Sequence, residues 1–372
     1  MKTLLNFILE SEDIISLKDK IVNYIKDNED IPLDNLKRAY NVLQNISKET
    51  YDKLNIIYKG NKEGLQYLIQ ILEKTGQKSE FLTALIDKEN FPTFNDLVSN
   101  NNLFDLVKEQ KFKFNEIFNN ESQLNDFLKM LIEKSYKVAG KGVGCGELFL
   151  TTLFKNTSHP NKGDVRIDDE EIEVKFSSSF SDNGGRLIPA KSTLKTVDEM
   201  ATYLEQALKD KGIDNFDNID INANKKIIIA GQKYINNIFS TFENKLDKKD
   251  IFNILAKMYF YQFNNLSDKE DEFDNFISKI TNYSFDNLIK IHGCLALISY
   301  QLSDNWSWLL VGVTKTSDYC MISAKDCSYN NFTKSMEDLM KRNDFTFKKY
   351  PSNTNGAHPM QDRVCQIYVT KK

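Results

Sequence analysis

Residues that break or lock a backbone are scarce in this chain. Six prolines and fifteen glycines among 372 residues exclude collagen-like, glycine-rich and proline-rich classes. Histidine is scarcer still, at three (His159, His292, His358). The five cysteines (Cys145, Cys294, Cys320, Cys327, Cys365) are odd in number, widely spaced and without a CxxC pair. Neither a disulfide framework nor a structural zinc site is expected, and the thiols read as reduced and mostly buried. No apolar run reaches the ~18–20 residues of a membrane helix. The opening Met1 to Leu9 is apolar, but Glu10, Ser11, Glu12 and Asp13 follow with no small-residue cleavage site, so it reads as a first helix. No sign of charge dominates: 49 Lys+Arg face 53 Asp+Glu, a net charge of -4, which excludes a uniformly basic, histone-like protein. A local basic patch stays compatible with that balance. What is present, 41% hydrophobic and 12% aromatic residues, excludes a disordered chain. The expectation is a soluble, intracellular protein of two or three domains with no membrane partner.

Residues 1–138 read as a helical module. Ile14, Leu17, Ile21 and Ile25 recur at spacings of three and four, as do Leu65, Leu68, Ile69 and Leu72. Asp34 and Thr93, each close behind a proline, are expected helix starts, and Gly76 an expected end. The texture changes at Gly140, where Gly140 to Gly146 holds four of the fifteen glycines. Residues 139–372 then read as a second, α+β or α/β domain. A short helix is expected from Glu147 to Phe154. Val165 and Ile167, then Ile172, Val174 and Phe176, alternate with polar residues around Asp168-Asp169-Glu170, the pattern of an antiparallel hairpin. Helices are expected at about 193–211, 249–265, 268–280, 284–293 and 332–341. Strands are expected at Leu295 to Tyr300, Trp306 to Val313, Tyr319 to Ser323 and Val364 to Val369. Lys226 to Ala230 suits either a buried strand or a helix start.

The hairpin gathers groups that carry chemistry. In an extended strand Glu173 and Lys175 project to one face and Ile172, Val174 and Phe176 to the other. Asp164 stands at the start of the partner strand, where it can come beside Glu173. Two carboxylates and an ammonium on one face suit metal-assisted hydrolysis, since Mg²⁺ takes hard oxygen ligands and keeps several waters. Such a metal acidifies a bound water and neutralises charge developing on phosphate, while a lysine orients or deprotonates that water. Glu147 could add a third carboxylate from its helix start, where the dipole favours negative charge. An exposed hairpin with solvated charges is the plain structural alternative.

In this order, Glu147, then Asp164, then Glu173-Val174-Lys175, the segment 140–190 resembles the PD-(D/E)xK nuclease superfamily, particularly its phage-encoded members. Gly163 stands where many members have the proline before the aspartate. The resemblance implies a restriction-endonuclease-like fold, a small mixed sheet flanked by helices, with a helical insertion at about 192–293. It implies a DNA nuclease using Mg²⁺ or Mn²⁺, with Asp164, Glu173 and Glu147 on the metal and Lys175 on the nucleophile. Lys141 in the glycine-rich loop, Arg186 after the second strand, and Arg363 and Gln366 before the last strand are the expected DNA contacts. It also implies a role in phage genome processing, or a restriction-like activity, in the host cytoplasm or with a virion. Other phage proteins are the expected partners of the helical module. A non-catalytic virion or packaging protein that keeps the fold as scaffold or DNA clamp is the second reading. A helical interaction protein with a chance motif is the third.

Other motifs fit poorly. Gly146 is followed by Glu147 and not by the lysine of a Walker A loop, and Gly142, Gly144 and Gly146 miss the dinucleotide-binding spacing. Cys145 has no histidine placed near it by sequence, and Gly-x-Ser-x-Gly does not occur. His159 reads as a loop residue before Asp164, His292 as a satisfied core histidine and His358 as a loop residue. Trp306 and Trp308, at strand spacing, read as core or sheet surface sharing one face. Charge is uneven: Lys341 to Lys372 carries seven basic and two acidic residues, a basic tail on an otherwise acidic body.

Overall fold

The structure is a computed structural model. It describes residues 102–110, 113–116, 144–154, 157–158, 164–177, 185–187, 189–213, 244–313, 317–349 and 367–371, with single positions at 67, 129, 131, 132 and 242. The stripes at Ile14 to Ile25 and Leu65 to Leu72, the helix signals at Asp34, Gly76 and Thr93, and Lys226 to Ala230 lie outside them. By contacts the chain divides into two units. The first takes Met1–Pro160, Asp164–Asp169 and Thr314–Ser317; the second takes Asn161–Gly163, Glu170–Val313 and Asp318–Lys372.

In the first unit, helix α1 (Asn102–Glu109) precedes a helical turn at Phe114–Glu116. Helix α2 (Cys145–Leu153) packs on the short strands β1 (Thr157–Ser158) and β2 (Val165–Ile167), which pair antiparallel. All of α2 except Glu147 is buried. Phenylalanine edges fix this core: Phe104 meets Phe154 at 5.8 Å and Phe114 meets Phe149 at 5.0 Å, both near-perpendicular as ring quadrupoles favour. After β2 the chain turns at Asp168 and Asp169. Asp168 adopts φ 52°, a left-handed conformation that aspartate tolerates better than most residues.

The second unit is a mixed sheet with helices. Strand β3 (Glu170–Ser177) runs parallel to β5 (Trp308–Val313), which pairs antiparallel with β6 (Tyr319–Ser323). A second, three-stranded antiparallel sheet orders β4 (Gly185–Arg186), β8 (Ile367–Lys371) and β7 (Phe345–Lys349). Around them lie α3 (Val197–Lys209), α4 (Lys248–Tyr261), α5 (Glu270–Ser278), α6 (Phe285–Asp304) and α7 (Phe332–Lys341). An α+β chain with a small mixed sheet is therefore what the described residues form.

Helix α6 overturns an expectation. The helix does not end at 293, and Leu295 to Tyr300 is not a strand; both belong to one 20-residue helix. Its residues from Ile291 to Tyr300 are all buried, so apolar side chains are wanted on every side and the helical stripe vanishes from the sequence. Ser284 caps its start by accepting from Asn287 N–H at 3.3 Å, and Asn305 at φ 54° ends it. Gly293 is required within it. A Cβ there would stand 2.1 Å from the Phe347 ring of β7. Strand β7 carries no strand signal in the sequence; the strand expected at Val364 to Val369 is described from Ile367 onward as β8, positions 364–366 lying outside the described residues.

Candidate functional site

Registry decides which way the charged pair of β3 points. Glu173 stands opposite Leu309 and Lys175 opposite Val311, while Leu309 and Val311 stand opposite Ile322 and Cys320. Paired residues share a face. Leu309, Val311, Ile322 and Cys320 all belong to the main core cluster, together with most of α6. The face carrying Glu173 and Lys175 is thus the one turned to the main core, not the solvated face of an exposed hairpin. Glu173 is only 5% exposed.

A buried carboxylate needs partners, because desolvation disfavours its charge. Glu173 Oε1 accepts from the Lys175 ammonium and, at 2.5 Å, from the Tyr300 hydroxyl of α6. The Lys175 ammonium also lies 5.8 Å from the centre of the Tyr300 ring. Tyr300 is itself buried and meets Trp306 edge-on at 6.3 Å. Behind Lys175 runs Gly185 of β4, where a Cβ would come 2.4 Å from the Lys175 Cβ. Gly185 is thus a strand residue whose missing side chain admits Lys175.

The remaining site residues stand as follows. Glu147 is the third residue of α2, and its Oε1 accepts from the N-cap Gly144 N–H at 2.8 Å, satisfying one donor at the helix start. Asp164 immediately precedes β2, half-buried. Both belong to the first unit, whereas Glu173, Lys175 and Tyr300 belong to the second. Arg186 lies in β4 opposite Tyr368, its side chain outside the described set. Lys141, Arg363, Gln366, His159 and His358 lie outside the described residues. Among the described residues no three of His, Cys, Asp or Glu are gathered as a metal site. In donor chemistry Glu173 suits a hard divalent cation, but one of its oxygens already serves two donors.

Residues set aside as structural keep that role. His292 Nε2 meets Gln262 Oε1 at 2.7 Å, and its ring stacks on Tyr259 at 4.1 Å. Trp306 is fully buried, whereas Trp308 is partly exposed and donates its indole N–H to Glu170 at 2.8 Å. The two tryptophans do not form one platform, because Trp306 precedes the strand. Burial pushes the Cys145 thiol up to about 11 and the Cys294 thiol up to about 12, so neither is a ready nucleophile. Tyr300 is the residue that sequence reasoning missed. It sits 127 positions from its partner, in a run that alternation could not distinguish from a strand.

No family model matches the chain, and neither a curated protein nor a solved structure matches it. Among the described residues no helix is long and apolar enough to cross a membrane.

Proposed function

We propose that the chain is a divalent-metal-dependent DNA nuclease of the PD-(D/E)xK type. One observation carries the reading: Glu173 and Lys175 lie ion-paired on one strand, in a chain whose Glu147, Asp164 and Glu173-x-Lys175 follow in that family's order. Further support comes from the elements bearing them, a helix for Glu147, a strand start for Asp164 and a strand of a mixed sheet for the pair. In this reading Asp164 and Glu173 hold Mg²⁺ or Mn²⁺ with Glu147 assisting, and Lys175 positions the attacking water. The bound ion supplies an acidified water and charge neutralisation at phosphate. Phage genome processing, a site of action in the host cytoplasm or virion, and phage proteins as partners of the N-terminal region belong to the same proposal.

The non-catalytic reading has its own support. Glu173 is nearly sealed and already satisfied by Lys175 and Tyr300, the arrangement of a structural ion pair. Purified protein incubated with plasmid, linear duplex and single-stranded DNA plus Mg²⁺ or Mn²⁺ separates the two. The enzyme reading expects cleavage, lost in Asp164→Asn and in Lys175→Met. Thermal melts must accompany both variants, because stranding a buried carboxylate costs roughly 3–5 kcal/mol. Absence of cleavage, or cleavage unchanged in folded variants, leaves the scaffold reading.

A further inference from the structure

Side-chain hydrogen bonds pin the C-terminal end of α6. Ser299 has no exposed surface, donates its hydroxyl to Asn265 Oδ1 at 2.8 Å and accepts at its carbonyl from Asn265 Nδ2 at 3.1 Å. Gln301 donates its side-chain amide to the Trp306 carbonyl at 3.4 Å, and Ser303 donates its hydroxyl to the Tyr300 carbonyl at 3.0 Å. The Asn305 N–H returns to the Gln301 carbonyl at 2.7 Å. Between Ser299 and Gln301 stands Tyr300, held on both sides along the chain. Trp306, fully buried, closes edge-on against its ring.

A side chain locked by such support arrives with its hydroxyl and ring preset. Both ends are used. The hydroxyl donates to Glu173 Oε1 at 2.5 Å, and the Lys175 ammonium donates to that same oxygen. The ring centre lies 5.8 Å from the ammonium, inside the range of cation–π attraction. Tyr300 therefore engages the carboxylate through a donor and the cation through its ring. Strand β3 by itself brings Glu173 and Lys175 to one face, two residues apart. It does not fix the direction of the Glu173 carboxylate, because the last torsion of a glutamate is broad. A donor from a second, rigid element fixes it.

We propose that Tyr300 is a positioning residue of the nuclease site, its hydroxyl directing the Glu173 carboxylate toward the divalent ion and its ring seating the Lys175 ammonium. This role rests on the nuclease reading and adds to it a residue that the motif order does not contain. A tyrosine with a purely structural role contributes to stability alone. A hydrogen-bonded partner of a metal ligand also alters metal affinity or rate, by about 10–100-fold.

Two measurements on Tyr300→Phe test the role. Ile298→Val serves as the control, because it trims a buried side chain of the same helix and keeps the hydroxyl. Mn²⁺ is first titrated by calorimetry into the full chain without DNA. Cleavage of linear duplex is then followed across DNA and Mn²⁺ concentrations, at a temperature where melts show every variant folded. Tyr300→Phe is expected to bind Mn²⁺ about 10–100-fold more weakly and to lower kcat, with KM for DNA unchanged. Ile298→Val should match the unaltered chain in all three. Equal losses in the two variants, or Tyr300→Phe with the Mn²⁺ affinity and kcat of the unaltered chain, would overturn the role of Tyr300 and leave the nuclease reading standing. An unaltered chain that neither binds Mn²⁺ nor cleaves DNA would overturn both.

Discussion

The Tyr300 hydroxyl donates to a carboxylate that is nearly sealed from water, so its removal is felt as a lost bond to charge. Tyr300→Phe keeps the ring and its contact with Trp306 and deletes only that donor. Hydrogen bonds to charged groups contribute roughly 1.5–3 kcal/mol, and a loss of that size is expected in urea denaturation. Combined with Glu173→Gln the two losses should not add, with a coupling of about 0.5–3 kcal/mol. Additivity would mean that the bond contributes nothing. At this scale the sequence was informative about Glu173 and Lys175, because a period of two needs only the strand itself. It was silent about Tyr300, since nothing local reports which residue a distant helix lays over a strand. The burial of Glu173 was equally invisible.

Elements with their own punctuation were readable. Helix α7 spans 332–341 as expected, and α3 begins at a capping box whose residues are adjacent in sequence. Thr196 Oγ1 accepts from Glu199 N–H at 3.2 Å, and Glu199 Oε2 accepts from Thr196 N–H at 2.7 Å. The Thr196 backbone N–H, followed by its hydroxyl and Lys195, holds the Glu199 carboxyl down from 4.5 to about 2. A depressed carboxyl stabilises the fold fully above its unfolded value and loses that contribution as protons bind the native state. The cap should therefore weaken as pH falls from about 4.5 toward 2. Because Glu199 is 40% exposed, solvent screens the effect and the change should be small. Thermal melts across that window should show a flatter pH dependence for Glu199→Gln than for the unaltered chain; equal slopes would count against the cap. Helix α6 was not readable, for the opposite reason. Burial on all sides removes the stripe by which a helix announces itself.

At the scale of the whole molecule, cysteine chemistry follows from burial. Cys145, Cys294, Cys320 and Cys327 are buried and unbridged. Burial pushes the Cys294 thiol up to about 12, and raises Cys327 as well. Thiolates are the reactive form, so a thiol-directed reagent at pH 8 should label these four only as fast as the chain unfolds. Rapid labelling of all four in native buffer would contradict the buried assignment. The helical and alternating periodicities, with the absence of a CxxC pair, were sufficient by themselves to point to an α+β chain without a disulfide framework and to one charged strand at Glu173 and Lys175. These properties depend on composition and on the period of a single segment. Only the tertiary structure decided that the charged face of this strand turns to the core, that Tyr300 meets Glu173, and that Gly185 makes room for Lys175. Each of these joins segments far apart in sequence, and their meeting is fixed by packing rather than by any local pattern.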